Sequence, residues 1–176
     1  CFEFWEVEMV VSDSNQLQKF ENDDVAQYYF EILRQLIAKK SIFAQQIGLA
    51  EVANYLGDIF TEAGAEVTID DTCTAPFVWH VLRAIDWCSD DYFYNHYDTV
   101  PADDDQPWSS NPFELTVRDG YMYGRGVDDD KGHITARLTA VQKYRREFGD
   151  FPVNIIFIME GSEESASVGL ETYLEK

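Results

Sequence analysis

The sequence has 176 residues, and its 33 acidic residues against 13 Lys and Arg give a formal net charge of −20. This length favours one domain, or one domain and part of another; a 45% hydrophobic and 15% aromatic content supplies enough apolar surface for a core and excludes a disordered acidic tail. A negative field of this size repels nucleic-acid phosphates and anionic membranes, so we expect neither as a partner.

The three cysteines, Cys1, Cys73 and Cys88, are too few and too scattered for a disulfide framework, and no two of them form a CxxC pair. This usage favours a reducing compartment, so we expect a cytoplasmic location. No apolar run reaches the roughly 20 residues that a membrane-spanning helix needs, and no basic-then-apolar leader opens the sequence.

Two helices are predicted in the first third of the sequence. In residues 22–40 the apolar side chains recur at helical spacing, and Asn22 or Asp23 can cap the first turn. Residues 48–64 repeat the pattern, and Gly64 is a typical helix stop.

The middle and end of the sequence alternate between strand and helix patterns. Strand-like runs occupy residues 65–69, 76–85, 92–96 and 151–159. Alternating residues on both sides of Asp119-Gly120 predict a two-residue hairpin. A loop then leads into a helix with Ile134, Leu138, Val141 and Tyr144 on one face. The run 151–159 is nearly all apolar, which predicts a strand buried on both faces. Strands interleaved with helices predict an α/β fold, with a mixed sheet flanked by helices.

Acidic and imidazole side chains follow three of these elements at equivalent places. His96 and Asp98 end one strand, the aspartates of 128–130 follow the hairpin at a helix start, and Glu163-Glu164 follows the buried strand. In open α/β sheets, ligands bind in the crevice outside the carboxyl ends of the strands. Each motif alone also fits a surface pair or a helix cap, so the inference of a site rests on their convergence.

The spacing within each motif suits metal chemistry. Residues two apart in a strand share a face, so Asp98 can lie beside the His96 ring and leave the other ring nitrogen for a metal. Of two adjacent glutamates, one can bind a metal while the other accepts a proton from water. His133, four residues after the middle aspartate, is a further candidate ligand that we rank below these.

Two long segments, "YNHYDTVPADDDQPWSSNPFELTVRDGYMYGRGVDDDKG" and "PVNIIFIMEGSEESASVGLE", resemble the co-catalytic zinc metallopeptidase family of dipeptidases, carboxypeptidases, aminoacylases and related deacylases. The forms "DDKG" and "EGSEES" are most similar to its carnosinase-type, cytosolic dipeptidase branch. The resemblance is dense over residues 91–176, weaker over 22–64, and does not extend to 1–20, to which we assign no function. It implies that residues 21–176 are the N-terminal portion of a catalytic domain, without the lid domain and the C-terminal part.

The resemblance implies a role for each residue of the candidate site. His96 would bind one zinc ion while Asp98 holds its ring from behind. Asp129 would bridge both metals, and Glu164 would bind the second. Glu163 would be the general base of a metal-assisted amide hydrolysis.

The resemblance further implies a cis peptide bond between Asp129 and Asp130. It implies two Zn²⁺ per complete site, with Mn²⁺ or Co²⁺ as alternatives, a peptide or N-acyl amino-acid substrate, and a homodimer in the full-length form. An aminoacylase or deacylase is therefore a rival interpretation. A catalytically incomplete fragment with a structural or binding role is another, because the family uses later metal ligands and only Glu171 and Glu175 follow Glu164 among the acids of this sequence.

Carboxylates clustered in this way repel one another when no cation lies between them. Such repulsion raises the pKa of some of the carboxyl groups and lowers the stability of the folded state near neutral pH. We therefore expect a bound metal ion to stabilise the fold.

Overall fold

The computed structural model describes residues 24–84, 89–102 and 107–175. The segment 1–20 and the predicted helix caps Asn22 and Asp23 lie outside the described residues. The described chain forms a mixed four-stranded sheet with helices packed on it, and a separate two-stranded hairpin. The predicted α/β class is confirmed.

The helices predicted from apolar spacing are present, and the second begins one residue later and ends two residues earlier than predicted. The helices are α1 (Asp24–Ala38), α2 (Leu49–Glu62), α3 (Lys131–Phe148) and the short α4 (Leu170–Leu174). One 3₁₀ turn, Phe43–Gln45, lies between α1 and α2, and another, Glu163–Ser165, precedes α4. Gly64 follows α2 with a φ of +86°, a left-handed conformation that suits glycine, and its N–H donates to the carbonyl of Thr61. Among the described helices, none combines the length and the apolar character needed to cross a bilayer.

The sheet is built from strands distant in sequence. Its strands are β1 (Glu66–Asp70), β2 (Phe77–Leu82), β3 (Asp90–His96) and β6 (Asn154–Glu160), while β4 (Thr116–Arg118) and β5 (Tyr121–Tyr123) form the hairpin. The order is β1-β2-β6-β3; the first two pairings are antiparallel, and β3 pairs with β6 in parallel. At the hairpin, Asp119 and Gly120 both have positive φ, as a two-residue turn requires.

Burial agrees with most of the predicted faces. In β6, Phe157 and Met159 are fully buried, whereas Ile158 is only half-buried. The strand is therefore largely, but not equally, covered on its two faces. Tyr144, predicted to share one face of α3 with Ile134, Leu138 and Val141, is 37% exposed. Its ring packs at the margin of the core against Phe151, with 5.4 Å between centroids, an arrangement that leaves a tyrosine hydroxyl free to reach water.

His80, on β2, lies in the centre of the core. It is 0% exposed, stacks on Phe60 of α2 with ring centroids 3.9 Å apart, and pairs in the sheet with Phe157. Neither ring nitrogen has a hydrogen-bond partner in the described part of the chain. Because water is excluded, the charged imidazolium is disfavoured, and burial lowers the pKa of His80 to about 3.

His80 should therefore make the fold sensitive to acid. Between pH 6.5 and about 3, the unfolded chain binds a proton at this residue that the folded chain excludes. Stability is therefore lost as the pH falls through that window. We expect the free energy of unfolding to fall by about 3 kcal/mol from pH 7 to pH 4 through this residue alone. In the variant H80F this part of the loss should disappear.

Urea unfolding followed by circular dichroism at several pH values measures the effect. The exposed His133 provides the matched control, because H133F should keep the acid dependence of the parent chain. Parallel stability curves for the parent chain and H80F would contradict the assignment.

Candidate metal and catalytic site

The candidate site lies where β3 and β6 end side by side. Because the two strands are parallel, their carboxyl ends meet at the same edge of the sheet, and His96 is the register partner of Glu160. The 3₁₀ turn that holds Glu163 and Glu164 follows β6 directly. The predicted convergence of these two motifs therefore follows from a single strand pairing.

His96 is the residue around which the other candidate side chains gather. Its side chain is 8% exposed, and its Nε2 lies 2.8 Å from Asp129 Oδ1 and 3.8 Å from Glu163 Oε2. Its Nδ1 lies 3.3 Å from Asp98 Oδ1, a separation typical of an ion pair rather than of a well-directed hydrogen bond. Three carboxylates from three separate segments thus approach one imidazole, two of them at the same ring nitrogen.

Asp98 has contacts that sequence reasoning missed. Its carboxylate is fully buried, and its two oxygens accept hydrogen bonds from the backbone N–H groups of Glu163 (3.1 Å) and Glu164 (3.2 Å). One side chain therefore holds both the imidazole and the turn that presents the two glutamates. Only the predicted proximity of the two strand ends hinted at this arrangement.

Asp130 links the loop that carries the aspartates of 128–130 to β3. Its Oδ2 accepts hydrogen bonds from Asn95 Nδ2 (2.6 Å) and from the backbone N–H of His96 (3.1 Å). Arg137 on α3 donates to Asn95 Oδ1 (2.6 Å) and so fixes the amide from its other side. The peptide bond between Asp129 and Asp130 is cis, as the family resemblance implied.

Glu160, which has no role in the sequence-based prediction, is a second buried carboxylate beside the site. It is 0% exposed and accepts hydrogen bonds from Ser162 Oγ (2.9 Å) and from the hydroxyl of Tyr94. The two donors satisfy it without a cation, so it stabilises the start of the glutamate turn rather than adding a ligand to it.

The charged groups of the site shift one another's pKa values. Burial by itself lowers the pKa of the His96 imidazole, but the carboxylates of Asp98 and Asp129 outweigh burial and raise that pKa to about 9. Burial, reinforced mainly by the charge of Asp129, raises the pKa of Glu164. The expected rise of carboxyl pKa values in the cluster is thus present at this residue.

The donor types fit a zinc ion, whereas their arrangement is incomplete. Imidazole nitrogen and carboxylate oxygen are ligands that zinc accepts, and structural and catalytic zinc sites use three or four of them. Within residues 24–84, 89–102 and 107–175, no three His, Cys, Asp or Glu side chains converge closely enough to hold one metal ion. His133 does not fill this gap: its ring is largely exposed and, in the described structure, contacts Asp128 at 3.8 Å.

The fold that carries this cluster is similar to the catalytic domains of metallopeptidases. The solved structure of human carnosine dipeptidase 1 superposes with a TM-score of 0.78 at 31% identity, covering 89% of this chain and 36% of that one. An M20 family metallo-carboxypeptidase, Sso-CP2 from Sulfolobus solfataricus, superposes with a TM-score of 0.77 at 32% identity, covering 84% of this chain and 33% of that one.

Sequence comparison adds a family match over just under half of the chain. Residues 92–176 match Peptidase family M20/M25/M40, which confirms the predicted resemblance. The human Beta-Ala-His dipeptidase is 49% identical over 84 residues, which are 48% of this chain and 17% of that protein. The chain thus spans about a third of the length of each of these two solved structures. The segment that matches the human Beta-Ala-His dipeptidase spans 17% of that protein.

Metal and proton should compete for His96. In the metal-free chain the carboxylates hold a proton on the imidazole up to a pH of about 9, and a metal ion must displace that proton to reach the nitrogen. We therefore expect the apparent affinity for Zn²⁺ to rise about tenfold per pH unit between pH 6.5 and 9, as one proton is released per ion bound. Competition titration against a chelator of known affinity measures the slope.

Two results bear on this expectation. The variant H133A should keep the slope, because His133 lies apart from the cluster. A zinc affinity that is constant from pH 6.5 to 9 would show that His96 is not the residue that binds the ion.

Proposed function

We propose that residues 21–176 form the N-terminal portion of the catalytic domain of a metal-dependent dipeptidase. The observation that supports this most strongly is the approach of Asp129 and Glu163 to His96 Nε2, at 2.8 and 3.8 Å, beyond the ends of two parallel strands. The matches to dipeptidases and to a metallo-carboxypeptidase point to the same reaction.

The proposed cofactor is a pair of Zn²⁺ ions, with Mn²⁺ or Co²⁺ as alternatives. His96 and Asp129 would hold one ion and Glu164 the other, with Asp129 shared between them. When bound, such ions lower the pKa of a water molecule and polarise the amide carbonyl that it attacks. The pH dependence of Zn²⁺ affinity predicted above for His96 is a test of this same set of ligands.

Glu163 is the proposed general base. Its side chain is 43% exposed, so the carboxylate is accessible to water, and its Oε2 lies 3.8 Å from His96 Nε2. It would accept the proton of the attacking water and deliver it to the departing amine, a role that typically contributes about 10²–10⁴ in rate. Asp98 would act through its neighbours, holding the His96 ring and the amides of the glutamate turn.

The proposed substrate is a dipeptide. The sequence relative is a dipeptidase by name, and one solved structure bears the name carnosine dipeptidase. The same donors would attack the amide of an N-acyl amino acid, which stays the rival within this family. A cytoplasmic setting and a homodimer of the full-length protein complete the proposal, supported by cysteine usage and by the family resemblance respectively.

A catalytically incomplete chain is a second candidate, and one observation favours it. No three metal-binding side chains converge among the described residues, and the chain spans about a third of its solved relatives. The experiment below therefore separates metal binding from turnover.

Two variants test the assigned roles. D129A removes the shared ligand and should lose the zinc that the parent chain retains after dialysis, as measured by mass spectrometry. E163Q keeps the shape of the side chain but cannot accept a proton, so it should retain the zinc while hydrolysis of a Gly- or Ala-containing dipeptide falls by about 10²–10⁴.

The exposed residues Asp150 and Glu171 provide matched controls, because D150A and E171Q remove the same charges away from the site. Full retention of zinc by D129A, or parental turnover in E163Q, would overturn the assignment. Zinc binding without turnover in the parent chain would favour the incomplete chain.

A further inference from the structure

Lys131 is a buried basic residue with no part in the proposed chemistry. It is the first residue of α3, directly after the Asp129-Asp130 pair, and is only 1% exposed. Its Nζ donates hydrogen bonds to the backbone carbonyls of Leu36 (2.9 Å) and Lys39 (2.7 Å). Lysine is almost never fully buried without such partners, because removal of the ammonium from water is costly.

Both acceptors lie at the carboxyl end of α1. The last carbonyls of a helix have no partner within the helix, and the helix dipole makes this end partially negative. The amine of Lys131 supplies the missing donors. Burial lowers the pKa of Lys131 to about 7, with the charge of Asp98 opposing the shift. The charged and the neutral amine both have the two N–H donors that these bonds need.

The loop of residues 126–132, which carries Asp129, packs closely against the aliphatic part of the Lys131 side chain. Gly126 has a φ of +89°, and a Cβ placed there would lie 3.2 Å from the Cδ of Lys131 and 2.9 Å from Thr99 Cγ2. Gly132 on the far side of the loop donates its N–H to the carbonyl of Gly126 (3.3 Å). The stem of Lys131 therefore packs against the backbone at Gly126, while its Nζ reaches the end of α1.

The same end of α1 also holds the loop after β3. Ser41 Oγ donates to the carbonyl of Tyr97 (2.5 Å), and the N–H of Thr99 donates to the carbonyl of Ser41 (2.8 Å). Residues 39–41 thus contact both the loop of Asp129 and the loop that follows His96. This short segment precedes the part of the chain that matches the family by sequence, which begins at residue 92.

From this geometry we propose that Lys131 is a positioning residue, which fixes the Asp129 loop to the end of α1 and so sets the distance between Asp129 and His96. The inference rests on the proposed function, because it assigns Lys131 a part in the metal site. It also gives α1 a role in that site, although the helix supplies no ligand.

The variant K131M keeps most of the apolar stem and removes the donors. We expect amide hydrogen exchange of residues 126–132 to become faster in the metal-free chain. We also expect the affinity for Co²⁺, followed by its visible absorption, to fall about tenfold or more, as is typical when a supporting partner of a metal ligand is lost. K131R, which retains donors at this position, should recover most of the affinity. The control is K143M, an exposed lysine of the same helix, which should resemble the parent chain in both measurements.

The outcomes are distinguishable. Co²⁺ affinity at the parental level in folded K131M would overturn the proposal, as would faster exchange spread evenly over the sheet, which indicates general destabilisation. If the parent chain binds no Co²⁺, the proposed function fails for this chain, and exchange at residues 126–132 alone decides the role of Lys131.

If K131M does not fold, the parent chain provides the second measurement. Addition of Co²⁺ should then slow exchange at Lys39, whose N–H donates to Gln35 at the carboxyl end of α1, more than at the middle of the helix. Unchanged exchange at Lys39 would overturn the proposal.

Discussion

The parallel pairing of β3 with β6 is the constraint on which the site depends. These strands are separated in sequence by the hairpin and by α3, yet their register places His96 opposite Glu160. The imidazole and the glutamate turn therefore leave the sheet side by side. A shift of one residue in this register would turn His96 to the other face and remove it from the carboxylates. The core that holds the register is apolar and well buried, with Phe157 and Met159 of β6 fully covered.

Above this scaffold, the site is a concentration of negative charge around one imidazole. Asp98 and Asp129 raise the pKa of His96 to about 9, so a proton occupies the metal-free cluster at neutral pH. Such a group contributes stability below its unfolded pKa of 6.5 and loses it as the pH rises through 9, whereas His80 in the core loses stability towards acid. The two histidines therefore act at opposite ends of the pH range, His96 through its carboxylate partners and His80 through burial away from water.

The sequence predicted the elements and the ends of the sheet at which the candidate residues meet. Helical spacing, the Asp119-Gly120 turn and the apolar β6 were sufficient because these signals are local. Contacts between distant residues left no such signal. Nothing in the sequence indicates that Asp98 would accept the amides of Glu163 and Glu164, or that Lys131 would reach the carbonyl of Leu36. Periodicity placed Tyr144 on one face of α3 but does not tell where the covering elements end, and this residue is 37% exposed.

The central claim is that a metal ion binds between His96 and the acidic residues of the two neighbouring loops. Anomalous diffraction at the zinc absorption edge, from crystals of this chain grown with zinc, tests it most directly. The account predicts a peak at about 2.0–2.2 Å from His96 Nε2 and from a carboxylate oxygen of Asp129. Full-occupancy zinc elsewhere, for example at the exposed His133, with no peak beside His96, would contradict it.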